Sequence, residues 1–98
     1  MNIQHTQDII KTTTAFKILS DPTRFKMLCL LARTKEGLCV NELADAVGIS
    51  QSAVSHQLSK LEARGVVASY RKGQMVCYTL QNNSFTQNLV RVMQAFVR

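Results

Sequence analysis

The chain has 98 residues, 46% of them hydrophobic, with one proline, four glycines and a formal net charge of +6 from twelve basic and six acidic side chains. That length suits one domain, 1–98; the composition excludes a low-complexity or disordered chain, and no window reaches the roughly 18 apolar residues of a membrane span. A basic excess is a prior for polyanionic partners, and it is local: residues 1–59 carry six basic and five acidic groups (+1), residues 60–98 six basic and one acidic (+5).

A domain this small buries only about 60–65% of the surface its unfolded chain exposes, so a partner subunit is one way to complete its core. The N-terminus MNIQHTQDII lacks a basic start, an apolar run and a cleavage site, and a cytoplasmic location is expected. Cys29, Cys39 and Cys77 are an odd set without a Cys-x-x-Cys pair, so neither a disulfide framework nor a zinc knuckle is written, and free thiols are expected.

In chain order, Ile9, Phe16 and Leu19 share one side of an amphipathic helix over about Thr6–Leu19. Asp21 and Pro22 then supply an N-cap and a first helical residue that needs no donor. The helix to about Ala32 carries Phe25, Met27, Leu28, Leu30 and Leu31 around most of its circumference, the mark of a central helix. Asn41 is expected to cap a short helix, Glu42–Val47, closed by Gly48, and Ser50 to cap the next, with Val54, Leu58 and Leu61 facing inward until Gly65. Val66–Leu80 changes to strand periodicity on both sides of Lys72-Gly73, which predicts a two-stranded hairpin with Arg71 and Lys72 at its tip. Ser84-Phe85-Thr86-Gln87 fits a capping box for a last helix bearing Leu89, Val92, Met93 and Phe96.

Helix, tight turn, second helix and basic hairpin is the order of a winged helix-turn-helix, so the expected class is mainly α with a small β-hairpin, α-α-α-α-β-β-α. A helix that reads bases must enter a groove about 12 Å wide, which favours short hydrogen-bonding side chains near its N-terminus; Gln51, Ser52, Ser55 and His56 supply them. Lys60, Arg71 and Lys72 suit phosphate or minor-groove contacts. Taken one at a time, the same residues also suit a solvated helix face and a solubilised turn. Phe and Tyr are too scattered for base stacking on single strands, and no nucleophile with a positioned base, phosphate-cradling loop or carboxylate pair indicates an enzyme or a cofactor.

Three stretches carry a family resemblance: LSDPTRFKMLCLL (Leu19–Leu31), VNELADAVGISQSAVSHQLSKLEARGVV (Val40–Val67) and RKGQMVCYTL (Arg71–Leu80). With them the chain resembles the ArsR/SmtB family of small dimeric winged-helix repressors. The resemblance implies a repressor of duplex DNA, a homodimer formed by the terminal helices, and two recognition helices about 34 Å apart on an inverted repeat. A winged-helix protein-interaction module is the alternative from another class.

The resemblance also implies sensor sites to check. Cys39 stands at the first cysteine of the family's paired site and Asn41 at the second, leaving half a soft-metal site. The last helix has no His, Asp, Glu or Cys for the family's zinc site, so no metal site is expected. Cys29 matches the second-helix thiol of a persulfide- and oxidant-sensing subgroup, without its partner in the last helix. Within an apolar run it also reads as a small core hydrophobe of low reactivity. Cys29 and Cys39 are therefore the candidate sensor thiols, and a repressor without an intrinsic sensor stays open. Cys77 is expected to face away from Val76 and Tyr78, near the wing.

Overall fold

Five helices and three strands follow one another in the computed structural model, which describes residues 5–97: α1 (Thr6–Leu19), α2 (Pro22–Ala32), β1 (Leu38–Cys39), α3 (Val40–Val47), α4 (Gln51–Ala63), β2 (Val67–Lys72), β3 (Met75–Leu80) and α5 (Ser84–Phe96). Residues 1–4, where the stretch read for a leader begins, and residue 98 lie outside the described residues. Among the described residues no helix is long and apolar enough to cross a membrane.

Local capping chemistry sets most boundaries. Asp21 Oδ1 accepts the Thr23 N–H at 3.2 Å with Pro22 at the first helical position, and Ser50 Oγ accepts the Ala53 N–H at 3.1 Å. Two expected caps move. Helix α3 begins at Val40 with Cys39 as its N-cap, because the Glu42 carboxylate reaches back to the Cys39 N–H at 2.9 Å. Helix α5 is capped by Asn83 instead of Ser84: Asn83 Oδ1 accepts the Thr86 N–H at 2.9 Å while its Nδ2 donates to the Gly65 carbonyl at 2.8 Å. The second bond ties the start of α5 to the turn after α4, a tertiary anchor that Ser84 has no reach to make.

The expected hairpin is present, with register from Val67↔Leu80 to Lys72↔Met75. It is joined by a strand the sequence reading lacked: β1 pairs antiparallel with β3 through Leu38↔Tyr78 and Cys39↔Cys77, giving the order β1-β3-β2. Gly37 permits this approach. Its φ is +89°, and a Cβ there would collide with the Tyr78 carbonyl and the Thr79 methyl group.

The core is built from Met27, Leu28 and Leu31 of α2, Leu43 of α3, and Val54 and Leu58 of α4, with the sheet and α5 closing over them. Helix α2 is less enclosed than its composition implies, since Phe25, Cys29 and Leu30 are only half-buried. The terminal helices are the incompletely covered ones. On α1 only Ile18 is buried, while Ile9, Ile10 and Phe16 are 49%, 51% and 55% exposed; Phe96 at the end of α5 is 80% exposed.

Candidate nucleic-acid interface

At 3.6 residues per turn, the buried Val54, Leu58 and Leu61 commit one side of α4 to the core. The opposite side is therefore set out by Ser52, His56 and Ser59, all exposed, with Gln51 exposed in the first turn and Lys60 exposed farther along. Ser55 is half-buried on the flank. The Ser52 hydroxyl lies 3.2 Å from that of the cap residue Ser50, which orients it in the first turn. Ser59 completes this face. Its place seven residues after Ser52 and three after His56 was the available signal.

Arg71 and Lys72 are exposed at the end of β2, where Gly73, at φ +63°, turns the chain into β3. A side-chain tie links this wing to α4: Glu62 Oε2 accepts the Ser69 N–H at 3.1 Å and the Ser69 hydroxyl at 2.7 Å. On the other side of the hairpin root, the Tyr70 hydroxyl donates to the Glu36 carbonyl. The expected contact residues thus lie on two elements held in fixed relation by Glu62, which the sequence reading did not single out.

Arg24 was also missed as an individual. Its Nε donates to the Ile18 carbonyl at 2.7 Å and one terminal nitrogen to the Lys17 carbonyl at 2.8 Å, closing the C-terminal end of α1; the other lies 3.4 Å from Gln57 Oε1 on α4. One guanidinium from α2 therefore touches both the terminal helix α1 and α4.

The architecture has close relatives. The sequence profile of the bacterial regulatory protein, arsR family, matches residues 21–69. The transcriptional repressor SdpR of Bacillus subtilis is 37% identical over 83 residues, covering 84% of this chain and 88% of that protein. The chain belongs to the ArsR family. This is a family of DNA-binding transcriptional regulators, not of enzymes. The arsenic resistance transcriptional regulator ArsR1 of Pseudomonas putida is 42% identical over 76 residues, 78% of this chain; the chain spans only 59% of that relative's length. Among solved structures, the AntR antimony-specific transcriptional repressor superposes with a TM-score of 0.82 at 30% identity, over 97% of this chain and 81% of that one. The winged helix-turn-helix expected from the sequence is the fold of this ArsR-family chain.

The cysteines depart from expectation. Cys39 and Cys77 are not free thiols but bonded to each other across β1 and β3, because the unforeseen strand sets them directly opposite. Cys77 is correspondingly buried, with Cys39 on one side of it and Tyr70 on the other. Cys29 is free and half-buried, lining a cavity of about 160 Å³ with Ala32 of α2, the C-cap residue Arg33, and Val90, Met93 and Gln94 of α5. Burial pushes its thiol above the ordinary value, and the Arg33 charge opposes this. Among the described residues no group of three or more His, Cys, Asp or Glu side chains comes together to hold a metal ion.

Proposed function

We propose that this chain is a cytoplasmic, sequence-specific repressor acting as a single winged-helix domain and binding duplex DNA as a homodimer at an inverted repeat. The observation that carries this is the pairing of an outward polar face on α4 with a basic wing fixed to it through Glu62 and Ser69. Gln51, Ser52, Ser55 and His56 read base edges in the major groove; Lys60, Arg71 and Lys72 contact backbone or minor groove. The exposed Ile9, Ile10, Phe16 and Phe96 on the terminal helices supply an apolar surface for a second copy. Cys29, free beside α5, is the thiol placed to carry a release signal by persulfidation, since a group added in its cavity would wedge α2 away from α5.

The test compares binding to the upstream region of the chain's own gene with binding to random duplex over a salt series. Lys72→Ala should weaken both similarly and lower the salt slope by about 0.9, the loss of one phosphate contact, whereas Gln51→Ala should reduce the cognate-to-random ratio. Equal losses on both duplexes for Gln51→Ala would remove it from the reading face. Absence of salt-sensitive binding in the parent protein would leave the protein-interaction reading.

A further inference from the structure

The Cys39–Cys77 bond has a placement that the DNA-binding reading does not use. Its two ends are 38 residues apart. The chain they enclose contains α3, α4, β2 and the wing tip. All the base-reading and wing residues named above therefore lie inside one covalent loop, closed where the helix-turn-helix begins. Cys39 is the N-cap of α3, and Cys77 lies two residues into β3 past Met75. Without the bond, β1 offers only two residues of pairing to hold this junction.

We propose that Cys39 and Cys77 form a reversible thiol–disulfide site, oxidised by a peroxide, whose closure fixes the wing to the helix-turn-helix and raises affinity for DNA. The inference rests on the DNA-binding function proposed above. Cys39 is 8% exposed and Cys77 fully buried, which assigns the first step to Cys39. The thiolate attacks one peroxide oxygen: an S–O bond forms, the O–O bond breaks, and the departing hydroxide takes up the proton lost by Cys39 to become water. The Cys77 sulfur then attacks the sulfenic sulfur, the S–S bond forms, and hydroxide leaves with the Cys77 proton as a second water. Two electrons pass from the two thiols to one peroxide. A dithiol reductant reverses the change by exchange, becoming a disulfide itself.

With the bond closed, both strands of the hairpin are tied to the helix-turn-helix, β2 to α4 through Glu62 and β3 to the start of α3 through Cys39. With it open, β3 loses its tie, and part of the wing is ordered only on binding, which weakens the complex.

The experiment takes the full chain through hydrogen peroxide and then a dithiol. It counts free thiols, measures affinity for the upstream duplex, and follows backbone hydrogen exchange in β1, β3 and the wing. The peroxide-treated protein should keep one free thiol and the reduced protein three, with DNA bound about three- to tenfold more weakly after reduction. Exchange at residues 38–39 and 75–78 should rise on reduction. Cys29→Ser should retain the whole response, and the double substitution Cys39→Ser with Cys77→Ser should bind like the reduced parent in either condition. Thiol counts that do not change, or equal affinity in both states, overturn the proposal. If neither state binds DNA, the proposed function fails and exchange decides the wing's attachment: unchanged exchange overturns that part too.

Discussion

Replacing Arg24 by alanine removes the donors that close the C-terminal end of α1. Two bonds are short, to Ile18 O at 2.7 Å and Lys17 O at 2.8 Å, and the third, to Gln57, is at the limit of range at 3.4 Å. A hydrogen bond from a charged group contributes about 1.5–3 kcal/mol, less where solvent competes. The side chain is half-buried and its Lys17 contact is exposed, so the two short bonds together amount to about 2–3 kcal/mol. For a domain of this size 1 kcal/mol shifts the melting temperature by about 4–8 °C, which gives a fall of roughly 10–20 °C. Thermal unfolding followed by circular dichroism at one fixed protein concentration measures it, since dimerisation would make the midpoint concentration-dependent. Arg24→Lys keeps the charge but not the planar fork and should recover less than half the loss. Gln57→Ala should be close to neutral. A fall of less than about 3 °C for Arg24→Ala, or full recovery by lysine, would refute the assignment of the stability to these directional bonds.

Two smaller expectations follow from local chemistry. Asn83→Ala removes the α5 cap and the bond to Gly65 and should cost about 1–2 kcal/mol, whereas Ser84→Ala should be within about 0.5 kcal/mol of the parent; urea midpoints of the two variants check the order. The raised Cys29 thiol means the folded state prefers the neutral form, so its contribution is complete below the ordinary thiol value near 9.0 and is lost as pH climbs through the higher folded value. The stability difference between the parent and Cys29→Ser should therefore be flat to about pH 8 and shrink above it, and a difference that grew with pH would reverse the assignment.

What was legible in the sequence was local. Asp21, Ser50 and Gly48 act within one turn of themselves, so the boundaries they set could be read from residue type alone. Tertiary reach decided the cases that were misread. Ser84 and Asn83 are both good caps, and only the Asn83 bond to Gly65, 18 residues earlier, separates them. Strand β1 is two residues long with no periodicity to detect, and its partners lie about 40 residues downstream. The Cys39–Cys77 pairing inherits that blindness. The polar outer face of α4 was legible because it is what remains of a helix once its buried stripe is assigned; the Arg24 and Glu62 contacts were not, because each joins two elements whose relative placement no periodicity encodes.

Glu62 separates two accounts of the basic C-terminal segment. It is the only acidic residue from residue 60 onward. If affinity followed charge alone, Glu62→Ala, which takes the formal charge from +6 to +7, would strengthen DNA binding at low salt. The structure assigns the carboxylate a different part: it holds the Ser69 N–H and hydroxyl, and so sets the root of the wing against the end of α4. Releasing both bonds leaves Arg71 and Lys72 to be positioned at the moment of binding, and cognate affinity should fall about three- to tenfold despite the added positive charge. Binding to random duplex, which depends less on register, should change little or rise. Gel-shift titrations on both duplexes distinguish the accounts, and a parallel gain on the two would mean that the wing needs charge and not a fixed position.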